Sequence, residues 1–182
     1  VVVSNGINVK LFSPKRKYSK EIRKIIHVGR ISFEKNVDRT IIAFSSLAKK
    51  YKNIEYTIIG DGPALNSLKE LSKKLGVGDR VKFLGYVDHS KLPEHYKDSD
   101  FFVTASTMET QGLVILEAMA AGLPIVGVDA FAIPDIVKNG YNGFIVEPTD
   151  VKGMTNYMDV LIKNPKLVEV LGKNSVITAN EH

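Results

Sequence analysis

The sequence predicts one α/β domain, a Rossmann-like doubly wound parallel sheet of about six strands, and three observations carry that prediction. Its 182 residues, 44% hydrophobic and 25% charged, suit a single domain with a substantial core, since domains usually hold roughly 100 to 200 residues. Short apolar runs rich in β-branched residues alternate with stretches of helical periodicity, the pattern of repeated βα units on a parallel sheet. Several runs end in glycine, at Gly29, Gly60 and Gly85, where a close backbone approach is open. In such sheets ligands sit beyond the carboxyl ends of the strands.

Taken in order, Val1-Val2-Val3 reads as a strand with no initiator methionine before it, so the chain is expected to continue upstream. Strands are predicted over 24–28, 55–59, 81–84, 100–104, 124–128 and 142–146, each a short apolar run. Helical periodicity covers 37–51, 64–75, 92–97, 113–121 and 133–138 between them, followed by terminal helices over 150–163 and 165–179. Pro63 suits a first helical turn, and Asp150 is placed to cap the helix after it.

Composition removes several function classes. The net charge of +5 is not organised as a basic face with interleaved aromatics, so no nucleic-acid partner is expected. The basic run Lys15-Arg16-Lys17, followed by Lys20, Arg23 and Lys24, reads either as a solvated linker before the first core strand or as a patch for anionic lipid. With no run of about 20 apolar residues and no signal-peptide pattern, a soluble, cytoplasmic domain is expected, peripheral contact with the inner membrane face being the second option. The chain has no cysteine, hence no disulfide and no thiolate metal site. The dinucleotide fingerprint G-x-G-x-x-G is missing after the first strand, where Gly29-Arg30-Ile31-Ser32 stands, which argues against hydride transfer.

Three places hold candidate chemistry. The loop from Gly29 to Asn36 carries Arg30 and Lys35 ahead of a helix that Asn36 could cap. Two cations and a helix N-terminus would suit a diphosphate, although an Arg and a Lys near a loop can equally be plain surface. Glu117 is the sole charge from Gly112 to Gly127. An ionised carboxylate on so apolar a helix needs a hydrogen-bonding partner, either a distant cation or the vicinal hydroxyls of a ribose. Glu109 lies in the loop before that helix. With the N–H groups of Gly112 and Leu113 facing phosphate, it would accept from sugar hydroxyls; the plain reading is a solvated loop acid.

Glu109 and Glu117 form E-x7-E within Glu109-Thr110-Gln111-Gly112-Leu113, and this segment closely resembles the glycosyl transferases group 1 family of retaining enzymes with the GT-B fold. The likeness runs along nearly the whole chain. Asn5-Gly6-Ile7-Asn8 with Phe12 and Pro14 is similar to the family's interdomain segment, Gly29-Arg30 and Glu34-Lys35-Asn36 to its G-R-x-x-x-E-K motif, and Gly60-Asp61-Gly62-Pro63 to its G-x-G-P turn. Phe83-Leu84-Gly85-Tyr86-Val87 resembles its F-x-G-x-V, and residues 133–137, Gly140, Asn142-Gly143 and Pro148 its closing segment. The resemblance implies an interdomain segment over 1–14 and, over 15–182, the C-terminal nucleotide-sugar-binding half of a GT-B fold, with an N-terminal acceptor domain outside this chain. It implies that Arg30 and Lys35 hold the donor diphosphate, Glu117 the ribose, Glu109 the transferred sugar, and the backbone at Gly85 and Tyr86 the base. No metal and no separate cofactor are implied, the substrate being a nucleoside-diphosphate sugar such as UDP-glucose or GDP-mannose. Gln111 replaces a frequent Phe and resembles a subgroup that glucosylates diacylglycerol. Asp129-Ala130-Phe131-Ala132 replaces a Gly-rich stretch, and no contacts are assigned there.

The expected function is therefore hexose transfer to a glycan or lipid acceptor, the 182 residues binding donor without turning it over alone. The alternatives are a non-hydrolysing nucleotide-sugar epimerase, for which His27, His89 and His95 are poor acid–base candidates, and a non-catalytic nucleotide-sugar-binding module.

Overall fold

A computed structural model describes residues 7–12 and 17–182. The expectations for Val1 to Gly6, Pro14, Lys15 and Arg16 lie outside the described residues. Within them, six strands, β1 (Lys24–Val28), β2 (Glu55–Ile59), β3 (Val81–Gly85), β4 (Phe101–Val103), β5 (Ile125–Val128) and β6 (Gly143–Val146), form one parallel sheet in the order β3-β2-β1-β4-β5-β6. The direction of winding reverses between β1 and β4. There the loops leaving neighbouring strands diverge and open a crevice at the carboxyl edge.

The central strands are buried almost throughout, as parallel strands covered on both faces must be, whereas β3 at the edge alternates. The helices are α1 (Val9–Phe12), α2 (Val37–Lys50), α3 (Leu65–Lys74), α4 (Leu92–Lys97), α5 (Leu113–Ala120), α6 (Ile133–Ile136), α7 (Val151–Lys163) and α8 (Pro165–Glu181). α2 packs on α3 and α7, while α5 packs on α8 and α1, giving the two helical layers of a doubly wound domain. Asp150 accepts from the Gly153 N–H at 2.7 Å and caps α7 as expected.

Two details set the edge that carries the site. A Cβ on Gly60 would stand 1.8 Å from the carbonyl oxygen of Gly29, so glycine there lets the loops after β1 and β2 touch. Gly112 begins α5 in the left-handed region, φ 66°, and a Cβ would meet Ile136 Cδ1 at 2.4 Å. Asn36 has no side-chain capping bond to α2, contrary to the sequence expectation. Its backbone is left-handed, φ 47°, and its side-chain amide points across the crevice instead.

Candidate donor-binding site

The two loops that meet at the winding reversal are residues 29–36 after β1 and 104–112 after β4. Asn36 Nδ2 lies within hydrogen-bonding distance of the carbonyls of Glu34 and Ala105 and of Thr107 Oγ1, at 3.0 to 3.2 Å. The Thr107 hydroxyl donates back to the Glu34 carbonyl. This amide is the clamp that fixes one loop on the other.

Beside the clamp, Lys35 Nζ donates to Glu109 Oε2 at 3.0 Å and to the Met108 carbonyl at 3.1 Å. Both side chains of the pair are about one-sixth exposed, at 17% and 16%. The other Glu109 oxygen accepts from the Gly112 N–H at 3.2 Å. That corrects the expectation that the Gly112 N–H faces a phosphate: Glu109 occupies it. The N–H groups of Leu113 and Val114 follow in the first turn, where helix geometry supplies no intrahelical acceptor.

Lys35, Glu109, Leu113 and Val114 line a cleft of about 270 Å³ whose other walls include His27, Gly29, Arg30, Thr104, Thr110 and Gln111. Arg30 and Gln111 are exposed at its rim. The larger cleft of about 540 Å³ beside Arg23, Lys52 and Ile162 lies at the opposite edge, ahead of β1 and β2. Doubly wound sheets do not bind ligands at that edge. Among the described residues no group of three or more His, Asp or Glu is arranged to hold a metal ion.

Glu117 is 5% exposed, and its carboxylate has two protein partners, neither of them a Lys or Arg. His89 Nε2 donates to Oε1 at 2.8 Å, and the Tyr96 hydroxyl to Oε2 at 3.1 Å. Burial, reinforced by the Glu117 charge, pushes the Tyr96 phenol well above its ordinary pKa, so it remains a donor. The Phe12 ring packs edge-on against His89 and Tyr96, with centroids 5.3 and 5.8 Å away. The His89 bond ties the loop after β3 to α5. At the end of β3, Gly85, left-handed at φ 69° with open space beside it, gives its carbonyl to Gly60, and Tyr86, next in the chain, is 78% exposed. Gly85, Tyr86 and Glu117 do not line the cleft that holds Arg30, Lys35 and Glu109; they continue away from it along the same edge of the sheet.

His27, a poor acid–base candidate in the sequence, is buried in β1 yet lines the cleft. Its Nδ1–H donates to the Val103 carbonyl at 3.1 Å. Burial lowers its pKa to about 4, with the Lys35 charge adding to the effect.

A doubly wound sheet with a basic, carboxylate-bearing cleft at its winding reversal defines the class: a Rossmann-like ligand-binding domain. The chain belongs to the glycosyl transferases group 1 family, whose model matches residues 10–176, and has the fold of the C-terminal domains of GT-B glycosyltransferases. It is 40% identical over 104 residues to an alpha-monoglucosyldiacylglycerol synthase of Streptococcus pneumoniae, covering 57% of this chain and 24% of that one. It is 37% identical over 152 residues to a sulfoquinovosyl transferase of Arabidopsis thaliana, covering 82% of this chain and 28% of the other. The chain thus spans about a quarter of the length of either relative. The separately solved C-terminal domain of a glycosyl transferase group 1 family protein from Francisella tularensis superposes with a TM-score of 0.84 at 28% identity, covering 97% of both chains.

Proposed function

We propose that the domain binds a nucleoside-diphosphate sugar across the β1/β4 crevice and serves as the donor half of a retaining hexosyltransferase. The observation that carries this reading is the Lys35–Glu109 pair at the winding reversal, with Arg30 exposed beside it and the first N–H groups of α5 adjacent. A diphosphate recruits Lys35 away from Glu109, and the released carboxylate becomes free to accept hydroxyls of the sugar. Arg30, Lys35 and the α5 N-terminus then face the charge that grows on the leaving diphosphate, so transfer on this reading is metal-independent. Glu117, already held by His89 and Tyr96, keeps lone-pair capacity on each oxygen for ribose hydroxyls, and the Gly85–Tyr86 backbone lies beyond it for the base.

The acceptor, glycan or lipid, is held by a second domain. Diacylglycerol is favoured as the acceptor by Gln111 and by the likeness to alpha-monoglucosyldiacylglycerol synthases of S. pneumoniae and Acholeplasma laidlawii. That acceptor would bring the protein to the inner membrane face. No helix among the described residues is long and apolar enough to cross a membrane.

The test is calorimetry of the 182-residue chain with UDP, GDP, UDP-glucose and GDP-mannose, with and without EDTA. One diphosphate binds, and EDTA leaves its affinity unchanged; strict dependence on a divalent cation would remove the metal-free reading. Glu109→Ala frees Lys35, so it leaves the diphosphate as tight or tighter while weakening the sugar nucleotide. Glu117→Ala weakens both, by about 1.5 to 3 kcal/mol. Equal damage by the two variants to the bare diphosphate would overturn this division between the carboxylates.

A further inference from the structure

His27 Nε2 is fully buried and has no hydrogen-bond partner, although the ring lines the cleft beside Arg30, Lys35 and Glu109. A buried polar atom left unpaired is costly and uncommon. The chemistry of this one is settled by its neighbour across the ring. The Val103 carbonyl can only accept, so Nδ1 carries the hydrogen, and in a neutral ring Nε2 then presents a lone pair alone. The ring stays neutral through physiological pH, because burial has brought its pKa down to about 4. Lys35, whose charge acts on the ring, is spent on Glu109 and Met108. On the side of Gly29 no side chain covers Nε2: a Cβ there would rest against it at 3.7 Å, and Gly29 has none, so a ligand hydroxyl reaches the lone pair with only a small local shift.

We infer that His27 is a specificity-determining residue of this site, whose Nε2 accepts a hydrogen bond from a hydroxyl of the donor's sugar through the gap left by Gly29. A diphosphate oxygen, itself bearing only lone pairs at neutral pH, is repelled from the same point. His27 therefore separates the two ends of one ligand, with sugar toward His27 and Glu109 and diphosphate toward Arg30. This rests on the nucleotide-sugar reading above.

Two near-isosteric variants separate the two ring nitrogens. In His27→Asn the side-chain amide stands where Nδ1 was and keeps the bond to Val103, but nothing reaches the Nε2 position. In His27→Gln an acceptor is restored there. Each protein is titrated with UDP, GDP, UDP-glucose and GDP-mannose, and the wild-type ring nitrogens are followed by 15N NMR. The expected result is unchanged diphosphate affinity in all three proteins and a loss of about three- to tenfold for the sugar nucleotide in His27→Asn, partly recovered in His27→Gln. The free protein at pH 7 shows a neutral ring protonated at Nδ1, and the Nε2 resonance moves with sugar nucleotide but not with diphosphate. Protonation at Nε2, equal losses for both ligands, or no change for either would overturn the inference. Should His27→Asn fail to fold, the wild-type Nε2 resonance decides alone. If none of the four ligands binds the wild type, the donor reading itself falls; if they bind and His27 is indifferent, only this inference does.

Discussion

Replacing Glu117 by Ala removes the acceptor of two donors that differ sharply in surroundings. The His89 side chain is 61% exposed, so its N–H exchanges the carboxylate for water at small cost. Tyr96 is completely buried and loses a charged acceptor where water does not reach. Hydrogen bonds to charged groups contribute about 1.5 to 3 kcal/mol, and the weaker approach of the Tyr96 hydroxyl to the Val114 carbonyl, at 3.4 Å, offsets little of that. In a domain of this size each kcal/mol shifts Tm by about 2 to 4 °C, so Glu117→Ala lowers Tm by about 3 to 12 °C before any ligand is added. A double-mutant cycle with Tyr96→Phe isolates the pair. The phenylalanine ring keeps the packing on Phe12 and Phe102 while removing the hydroxyl, so the double variant is about as stable as Glu117→Ala alone. Thermal denaturation of the four proteins checks this. Simple additivity of the two single losses, or an unchanged Tm in Glu117→Ala, would refute the claim that this carboxylate is a structural partner as well as a candidate ligand.

The remaining predictions follow from charge, backbone and extent. His27 is neutral when folded down to about pH 4 but titrates near 6.5 when unfolded; the unfolded chain binds the extra proton, so stability is lost as pH falls from 6.5 towards 4. Over that window the wild type loses about 3 kcal/mol more than His27→Asn, measured by urea unfolding at a series of pH values; parallel curves would contradict the neutral buried ring. Gly112→Ala costs about 1 to 2 kcal/mol for the left-handed backbone plus the clash with Ile136. Gly140→Ala, at φ 72° with nothing within 4 Å, incurs the first cost only, and equal Tm losses would exclude the steric contribution. Finally, residues 1–182 bind donor yet transfer no sugar to any acceptor until joined to an N-terminal half, as a radiolabelled-donor assay would show; turnover by the chain alone would reverse this.

Much of the fold was legible because its signals are local and repeated. The expected limits of β1, β2 and α4 agree with the structure, since apolar runs bounded by polar residues leave little room for error. Other ends were placed a residue or more too far where a polar residue leaves the regular pattern for a bond of its own. Asp100 was assigned to β4, but its carboxylate caps the N–H groups of Arg23 and Lys24 at 2.7 and 2.8 Å. Asn142 was assigned to β6, yet its buried side chain bonds Lys138, Ile136 and Thr178. The Lys138 bond also helps to explain why α6 stops at Ile136 rather than Lys138. α1 and the 3-10 turns Phe33–Lys35 and His89–Lys91 went unnoticed, because three or four residues show no periodicity.

The candidate site was legible in its residue types but not in its pairings, and the reason is topological. Lys35 and Glu109 stand 74 positions apart and meet only because β1 and β4 are neighbours across the winding reversal. The donors to Glu117 stand 21 and 28 residues upstream, beyond the reach of any helical spacing. Neither pairing can form until the sheet has ordered its strands, which is also what makes them useful. Asn36 and Thr107 lock the two loops together without drawing on Arg30, Lys35 or either glutamate. The frame of the cleft is thereby set by neutral hydrogen bonds, and an incoming diphosphate has to displace one partly exposed ion pair rather than organise two loops.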